Sequence, residues 1–462
     1  MKIKFETNVD WKKLLSRTRL GEEKNLPQNN SDGRSEFQRD FDRVVFSSAF
    51  RRLQDKTQVF PLPESDFVHN RLTHSLEVSC VGHSLGNLVG EKVLSRNKNL
   101  QKEITKFHFG EIVAAACLAH DIGNPPFGHS GESAISEYFK SGNGKAFESS
   151  LSAKQWNDLT NFEGNAQGFR ILTRLQNPNI IGGLHLTNAM LAAFTKYPKE
   201  SPSLKEVESK EIKLYKKFGF FQSERDIFVE VAENVGLNKK TSDKNILQYI
   251  RHPLAFLVEA ADDICYRIMD LEDGFRLGLL SFKDTQNLLM PFIEKNKLNN
   301  YNRRDENDKI GYLRAKVISN LVNQLSEIFL DEENNIMSGK FETDLISILP
   351  SIKSLQAIER ISIKKIYSYE SVVEREAAGY EVLGGLLDSF ISSVNEASKG
   401  KISPKSKTLL KLLPEQFGGR ERKPERELYS RLLSVIDFVS GMTDSFAVSL
   451  FRKIKGISLP GK

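Results

Sequence analysis

One short stretch of the chain, residues 118–135, limits how the surrounding sequence can fold. It reads LAHDIGNPPFGHSGESAI and carries an adjacent His120–Asp121 pair, a run of glycine, asparagine and two prolines, and then His129 with Glu132. Two consecutive prolines cannot continue an α-helix, so a helix that delivers the first pair must end there. The sequence therefore predicts a tight turn that brings four polar side chains close together.

The residue types at this turn are typical of a metal-dependent active site. Neutral imidazole and carboxylate both donate to divalent ions, so His120 and Asp121 at a helix end form half of a metal site. His129 and Glu132 lie three residues apart, on one face of a helix, and are candidates for a general acid/base pair beside the metal. The chain has only eight histidines, and two of them lie in this one window.

Composition restricts the class of protein rather than its activity. The 462 residues are 39% hydrophobic and 27% charged, as in an ordinary folded protein, and the net charge is +6. This mild positive charge is compatible with a polyanionic ligand such as a nucleotide. The cysteines show no CxxC spacing, no apolar run approaches the ~20 residues of a membrane span, and the N-terminus lacks an apolar signal segment. Together these features predict a cytoplasmic protein.

Apolar residues recur at a helical period along most of the chain, which predicts a mainly α fold. One helix is expected to run from Ser35, a suitable N-cap, to residues 51–54, and a second over residues 69–94, with Thr73 as its cap and His74 in its first turn. The apolar face of the second helix would comprise Leu76, Cys80, His83, Leu85 and Leu88. Residues 141–161 are expected to form a surface loop, and a polar break near residue 298 divides the chain into residues 1–297 and 298–462.

A helix predicted to begin at Pro253 carries acidic residues opposite its apolar stripe. At ~100° per residue, Asp262, Tyr266 and Asp270 fall within about 80° of one another. Considered alone, this pattern is typical of an amphipathic helix with a solvated acidic face. The alternative is that the face borders a cleft, where Asp262 or its neighbour Asp263 completes the metal site.

Two basic segments motivate a different class of function. The segment KLYKKFGFFQSE combines lysines with aromatic residues, and its favoured interpretation is a packed loop with solvated lysines. Residues 418–431, GGRERKPERELYSR, motivate a single-stranded nucleic-acid-binding or nucleotide-sensing protein. Three glutamates interrupt that positive charge, which favours a solvated loop and helix start.

Longer strings carry a resemblance to a known family. His74, His120–Asp121 and a later aspartate follow the H…HD…D order of HD-domain phosphohydrolases. The strings SEFQRDFDRVVFSSAFRRLQDKTQVFPL, RLTHSLEV, HDIGNPPFGHSGE, EAADDICYRIMDLEDG and SGMTD resemble the deoxyguanosinetriphosphate triphosphohydrolases, from about residue 30 to residue 455. The resemblance implies an HD-domain helical core over residues 1–297 and a helical C-terminal region over 298–462 that completes the nucleotide site and the oligomer contacts.

The resemblance also implies an activity and a cofactor. The family hydrolyses dGTP, or other dNTPs, to the deoxynucleoside and inorganic triphosphate by attack of water at the α-phosphorus. One divalent ion per subunit (Mg, Mn, Fe, Co, Ni or Zn) would be held by His74, His120, Asp121 and Asp262. Asp262 is preferred to Asp263 because Tyr266 follows it by four residues, like the family's sugar-contacting tyrosine. His129 would move a proton at the water or the leaving oxygen, and Glu132 would hold its orientation.

Substrate contacts follow from the same resemblance. Arg71 resembles a phosphate-contacting arginine, and Lys196 with Tyr197 resembles the pair beside the triphosphate. The remaining contacts are Gln54, Tyr266 and Asp270 around the deoxyribose 3′-OH, and Arg431 on the nucleotide. Members form dimer-based homo-oligomers, often hexamers, and some bind single-stranded DNA or need a nucleotide activator. The H…HD…D order alone also fits an HD phosphohydrolase that acts on nucleoside monophosphates or cyclic nucleotides, so that alternative stays open.

Overall fold

The computed structural model describes residues 9–22, 33–59, 69–202, 217–240, 246–294, 298 and 300–458. In these residues the chain is built from α-helices, and only isolated bridges pair extended backbone, which confirms the mainly α prediction. The helices are α1 Trp11–Leu14, α2 Glu36–Val45, α3 Ser48–Arg52, α4 Arg71–Arg96, α5 Lys106–Ala119, α6 His129–Lys140, α7 Ala153–Thr160, α8 Gly164–Arg170, α9 Asn188–Phe194, α10 Arg225–Asn234, α11 Pro253–Arg276, α12 Phe282–Leu289, α13 Glu306–Asp331, α14 Glu333–Met337, α15 Ile352–Lys365, α16 Glu370–Ser398, α17 Pro404–Leu412, α18 Glu415–Gly418, α19 Leu428–Ser440 and α20 Asp444–Ile454.

Glycines decide which face of α4 is buried. Gly82, Gly86 and Gly90 follow one another at intervals of four residues, and a Cβ added at Gly86 would lie 2.7 Å from the Cα of Gly110 on α5. The two helix backbones therefore approach more closely than larger residues would allow. The predicted apolar face is wrong except at Leu85, because its other four members are exposed. The predicted cap is also wrong, since Asn70 is the N-cap and Thr73 lies inside the helix, where it completes the capping box.

Two other predicted segments differ from the structure. The helix that begins at Ser35 is interrupted at Phe46, which is 78% exposed, and Ser47 caps a separate helix, α3. Residues 141–161 are not a surface loop, since they contain α7, whose Trp156 and Leu159 are buried. The prediction failed because these two apolar residues, at i and i+3, stand among polar residues and give only a weak helical pattern. Burial of both side chains on one face is enough to stabilise a short helix.

The helix at Pro253 begins as predicted, but much of its acidic face is buried. His252 caps α11, and its Nε2 lies 3.1 Å from the carbonyl oxygen of Leu14. The apolar stripe is buried, and Glu259, Asp270 and Asp273 on the opposite side are also buried. The solvated-face interpretation is therefore wrong for these three residues, whereas Asp262 and Tyr266 on the same side are partly exposed.

Buried apolar residues form two clusters that meet at the turn after α5. The first joins α1–α5 to α9–α15, and the second joins residues 127–166 to residues 382–450. Helix α13 packs against α4 and α11 within the first cluster. The division of the chain at residue 298 stays a prediction. Among the described residues, no single helix is long and apolar enough to cross a membrane, and only the bent pair α19 and α20 could do so by length and composition.

Candidate active site

A cavity of ≈ 460 Å³ lies where the two clusters meet. Its wall combines the end of α5, the turn that follows it, the start of α6, one face of α11 and the start of α16. Nine of the residues singled out in the sequence line this cavity: Arg71, His120, Asp121, His129, Glu132, Lys196, Tyr197, Asp262 and Tyr266. The chain thus collects polar side chains from segments almost 200 residues apart in the sequence.

Four side chains converge at the cavity: His120, Asp121 and Asp262 line it, and His74 is buried next to them. The ligand atoms of His74, His120 and Asp121 all lie within 4.8 Å of one another. On α11, Asp262 Oδ1 lies 3.2 Å from His74 Nε2 and 3.5 Å from His120 Nε2. Two imidazoles and two carboxylates are a donor set that suits a divalent cation.

Hydrogen bonds around this group leave free the atoms that a metal would need. The His120 Nδ1–H donates to the carbonyl oxygen of Cys117 at 2.6 Å, which directs Nε2 towards the cluster. Arg71 Nη1 donates to Asp121 Oδ1 at 2.8 Å, and the Asn124 amide donates to the same oxygen. Asp121 Oδ2 is buried without a hydrogen-bond partner among the described residues. An orphaned carboxylate oxygen on a residue grouped with two histidines fits a bound divalent ion.

The two carboxylates of the cluster are held in their ionised form. Burial opposes ionisation of Asp121, but the charges of Arg71 and His120 outweigh it and lower its pKa. Burial likewise opposes ionisation of Asp262, but His120 and His74 lower its pKa well below the usual range. For His120, burial lowers the pKa, but Asp121 and Asp262 raise it to about 9. A divalent cation would therefore replace the proton that His120 holds between these two carboxylates.

The neighbouring carboxylate, Asp263, has a different partner. Arg267 Nη1 donates to Asp263 Oδ1 at 2.7 Å, one turn along α11. Burial raises the pKa of Asp263 to about 6. The structure therefore brings Asp262 to the two histidines, while Asp263 is paired with an arginine.

The tight turn sets the position of the His129–Glu132 pair. Phe127 has φ 66° and Gly128 has φ 60°, so two successive residues with left-handed φ reverse the chain before α6 begins. His129 Nδ1 lies 3.1 Å from Glu132 Oε2, and the amide of Gly164 donates to Glu132 Oε1 at 2.7 Å. The carboxylate therefore fixes one ring nitrogen of an otherwise exposed histidine.

A lysine that the sequence interpretation left in solvent contacts this carboxylate. Lys217 Nζ lies 2.7 Å from Glu163 and 3.5 Å from Glu132, and Lys217 lines the cavity. Burial would raise the pKa of Glu132, but the charge of Lys217 and the bond from His129 lower it to about 2. Burial and the nearby Glu132 raise the pKa of Glu163 to about 7. The lysine-aromatic segment KLYKKFGFFQSE was the sequence feature that could have pointed to Lys217. The other two lysines of that segment, Lys213 and Lys216, lie outside the described residues.

Lys196 and Tyr197 follow the end of α9, and Lys196 borders the cluster of His74, His120, Asp121 and Asp262. Lys196 Nζ lies 3.4 Å from Glu259 Oε1 and 3.9 Å from Asp262 Oδ2. Both residues line the cavity wall. They add positive charge and a hydroxyl beside the proposed ligand Asp262.

A pair of stacked tyrosines forms another part of the wall. The rings of Tyr266 and Tyr367 stack with centroids 5.7 Å apart, and the Tyr367 hydroxyl donates to Asp270 Oδ2 at 2.8 Å. Asp270 does not line the cavity but lies buried behind this pair, where burial raises its pKa to about 8. Sequence reasoning missed Tyr367 because it lies about 100 residues from α11 in the chain, beyond the reach of any local pattern.

Two predicted contacts lie away from the cavity. Gln54 is exposed and outside the cavity wall, whereas Gln58 lines it. Arg431 is buried in the second cluster, where Nε donates to Asn395 Oδ1 at 2.8 Å. Arg375 on α16 does line the cavity; its Nη2 donates to the carbonyl oxygen of Val59.

Comparisons with known proteins agree with this arrangement. The HD domain model matches residues 71–173, and a phosphohydrolase-associated domain model matches residues 351–453. The chain is 44% identical to a deoxyguanosinetriphosphate triphosphohydrolase-like protein of Synechocystis sp., over 98% of this chain and 100% of that protein. It is 39% identical to a protein of the same description from Pseudomonas aeruginosa, with the same coverage. It is also 29% identical to a deoxyguanosinetriphosphate triphosphohydrolase of Yersinia enterocolitica, over 97% of this chain and 99% of that protein.

Proposed function

Because the chain belongs to the deoxyguanosinetriphosphate triphosphohydrolase-like family of HD-domain phosphohydrolases, we propose that it hydrolyses dGTP, or a related dNTP, to the deoxynucleoside and inorganic triphosphate. The family relationship makes the chain a hydrolase; the substrate and products are the proposal. The observation that carries it is the meeting of His74, His120, Asp121 and Asp262 at the cavity that the His129–Glu132 pair lines.

The donor set supports one divalent ion, with Mg, Mn, Fe, Co, Ni and Zn as candidates. When bound, such an ion neutralises charge on a phosphate oxygen and lowers the pKa of a water molecule. His74, His120, Asp121 and Asp262 would hold it. Arg71 keeps one oxygen of Asp121 engaged, which would leave the other oxygen for the ion.

His129 is the proposed proton donor and acceptor. Glu132 accepts a hydrogen bond from His129 Nδ1–H. This bond fixes the ring and leaves Nε2 to exchange a proton. Water attacks the α-phosphorus, and the bond between that phosphorus and the 5′-oxygen breaks. The 5′-oxygen takes a proton from His129 and leaves as the deoxynucleoside. The hydroxyl from water stays on the triphosphate, and the other proton of the water returns to His129.

Positive side chains would position the triphosphate. Arg71, Lys196 and Lys217 lie around the reacting centre, and each already has a carboxylate partner. A polyanionic substrate would add to these ion pairs rather than meet unpaired charge. Phosphoryl transfer depends mainly on such positioning and electrostatic stabilisation.

The stacked tyrosines are proposed to face the sugar. A ring edge placed where a 2′-hydroxyl would project selects deoxyribose by steric exclusion. Asp270 fixes Tyr367 through its hydroxyl, and Tyr367 in turn supports Tyr266. Asp270 would then act on the sugar through these rings.

Dimer-based assembly and single-stranded DNA binding are further proposals, and they rest on the family relationship. In the basic segment 418–431, Lys423 pairs with Glu421 at 2.9 Å and Arg422 donates to the carbonyl oxygen of Leu413. These internal contacts do not favour a separate nucleic-acid-binding function over hydrolysis.

The test of the proposed function is product analysis by anion-exchange chromatography, with each dNTP and with GTP, in Mn²⁺ or Mg²⁺ and ¹⁸O-labelled water. We expect deoxynucleoside and intact triphosphate in equal amounts, with the label in the triphosphate, and little product from GTP. Release of orthophosphate or pyrophosphate would contradict the proposal. Turnover of nucleoside monophosphates or cyclic nucleotides instead would favour the other HD activity, and product only from dNTP mixtures would indicate an activator.

Replacing Gln58 by alanine should raise the KM for the dNTP by about 3- to 10-fold, the value of one hydrogen bond of ~1 kcal/mol. Gln58 lines the cavity, whereas Gln54 is exposed outside it. Gln54→Ala is therefore the matched control and should leave KM unchanged. Steady-state kinetics of both variants decides which glutamine contacts the substrate. An effect of Gln54→Ala alone would support the contact expected from the sequence.

A further inference from the structure

A buried carboxylate in the C-terminal region bonds to both backbone segments that frame the active site. Asp444 is the first residue of α20 and is only 6% exposed. Its Oδ1 accepts the amide N–H of Phe127 at 3.1 Å, and its Oδ2 accepts the amide N–H of Thr57 at 3.3 Å. Phe127 comes two residues before His129, and Thr57 comes immediately before Gln58. One carboxylate therefore joins the turn before His129 to the segment that carries Gln58.

The turn that Asp444 holds has an unusual backbone. Phe127 adopts φ 66°, a left-handed conformation that side chains with a Cβ rarely take. Such conformations persist only where surrounding contacts impose them. The bond from Phe127 N–H to Asp444 is one such contact, and the bond from the Ser130 hydroxyl to the Phe127 carbonyl oxygen, at 3.1 Å, is another.

A buried lysine makes a second bridge between the same segments. Lys56 is 2% exposed, and its Nζ donates to the carbonyl oxygens of Asn124 and Ser440. Arg52 Nη1 also donates to the carbonyl oxygen of Gly441 at 3.1 Å. The sequence string SGMTD, residues 440–444, thus forms the bend between α19 and α20. This bend contacts both residues 52–57 and the turn after α5.

Asp444 itself does not line the active-site cavity. We propose that Asp444 is a positioning residue for the hydrolysis, which holds the turn before His129 and the segment before Gln58 in the arrangement that the reaction needs. The C-terminal region thereby sets the geometry of a site whose chemical groups come from the HD core. This inference rests on the proposed function.

The variants that test it are Asp444→Asn and a matched control, Asp55→Asn. An asparagine at position 444 has one carbonyl oxygen, so it can accept only one of the two N–H groups and turns an amide donor towards the other. Asp55 accepts the hydroxyl of Ser445 at 2.9 Å across the same junction, but contacts neither of the two N–H groups. We expect Asp444→Asn to lower kcat at least about tenfold at near-normal KM and metal content, and Asp55→Asn to leave all three unchanged.

A double-mutant cycle separates positioning from general loss of structure. If Asp444 acts through His129, then Asp444→Asn should lower kcat in the wild-type background but add little to His129→Ala. Equal losses in both backgrounds, or an unchanged kcat in the single variant, would overturn the inference. Should Asp444→Asn fail to fold, Asp444→Glu is measured by the same criteria, because it keeps the charge and displaces the carboxylate by one methylene.

Amide hydrogen exchange provides a readout that does not depend on turnover. The amides of Phe127 and Thr57 should exchange at least about tenfold faster in Asp444→Asn than in the wild-type chain, with exchange in α13 unchanged. Unchanged exchange at both amides contradicts the inference whatever the activity. If the wild-type chain releases triphosphate from no dNTP, the proposed function fails, and the exchange result still decides whether Asp444 holds the two segments.

Discussion

Asp262→Asn is expected to lose the bound divalent ion and to lower kcat/KM by about 10³-fold or more. A metal ion that polarises the phosphate contributes several kcal/mol to the transition state, and each 1.36 kcal/mol corresponds to about a factor of ten. The Asp262 carboxylate contacts both His74 and His120, and those contacts hold its pKa well below the usual range. An amide in its place cannot supply the negative charge that the cluster offers a cation.

Asp263→Asn is the matched control for this change. The two residues are adjacent on α11 and carry the same carboxylate, but Asp263 pairs with Arg267 and contacts neither histidine within the described part of the chain. We expect it to retain the metal and at least about a third of the activity. Metal content after dialysis, measured by plasma mass spectrometry, and the shift of Tm on adding EDTA give the comparison. Loss of metal in Asp263→Asn alone would reassign the fourth ligand.

The local features of the fold could be predicted from the sequence. A proline at the first position of α11, a serine before α2 and a proline-glycine turn after α5 act through backbone geometry within a few residues. The same holds for the His129–Glu132 pair, whose spacing on one helix face brings the side chains together. These signals need no knowledge of the rest of the chain.

Features that depend on distant segments could not be predicted in this way. The period of α11 places Asp262 and Asp270 on one face, but only residues from the start of α16 and the end of α9 decide that this face borders a cavity. Similarly, the string RRLQDKTQV contains two glutamines, and the path of the chain after Leu53–Asp55 decides which one reaches the cavity. Lys217 has the composition of a solvated residue, and its pairing with Glu163 appears only when segments 54 residues apart meet.

The ligand set illustrates both cases at once. His120 and Asp121 are adjacent, so their proximity follows from the sequence, whereas His74 comes from α4 and Asp262 from α11. The close approach of α4 to α5 depends on glycines whose effect is steric rather than hydrophobic, so a search for apolar residues placed the buried face incorrectly. The resemblance to a known family supplied these long-range relations, and the geometry now gives each of them a physical test.

His129→Ala is expected to lower kcat by about 10²- to 10⁴-fold, the usual contribution of a positioned acid or base, while metal content and KM stay close to the wild-type values. The reason is that His129 contacts Glu132 but none of the four proposed ligands. The lowered pKa of Glu132, about 2, keeps this carboxylate ionised at every pH suited to the assay, so the Nδ1 proton stays fixed. Measurement of kcat, KM and bound metal on one preparation checks all three expectations.

The control for this change is His83→Ala, because His83 is an exposed histidine on α4 that contacts Asn87 and does not line the cavity. It should retain full activity. Added imidazole should restore part of the kcat lost in His129→Ala, since a small base can enter the space that the side chain leaves. Imidazole should not stimulate Glu132→Gln, because that variant keeps the His129 ring but orients it poorly. If the His129→Ala variant loses its metal, His129 acts as a ligand or a structural residue. If the variant keeps its kcat, another group must transfer the proton. Lys217, which contacts the same carboxylate, is then the next residue to replace.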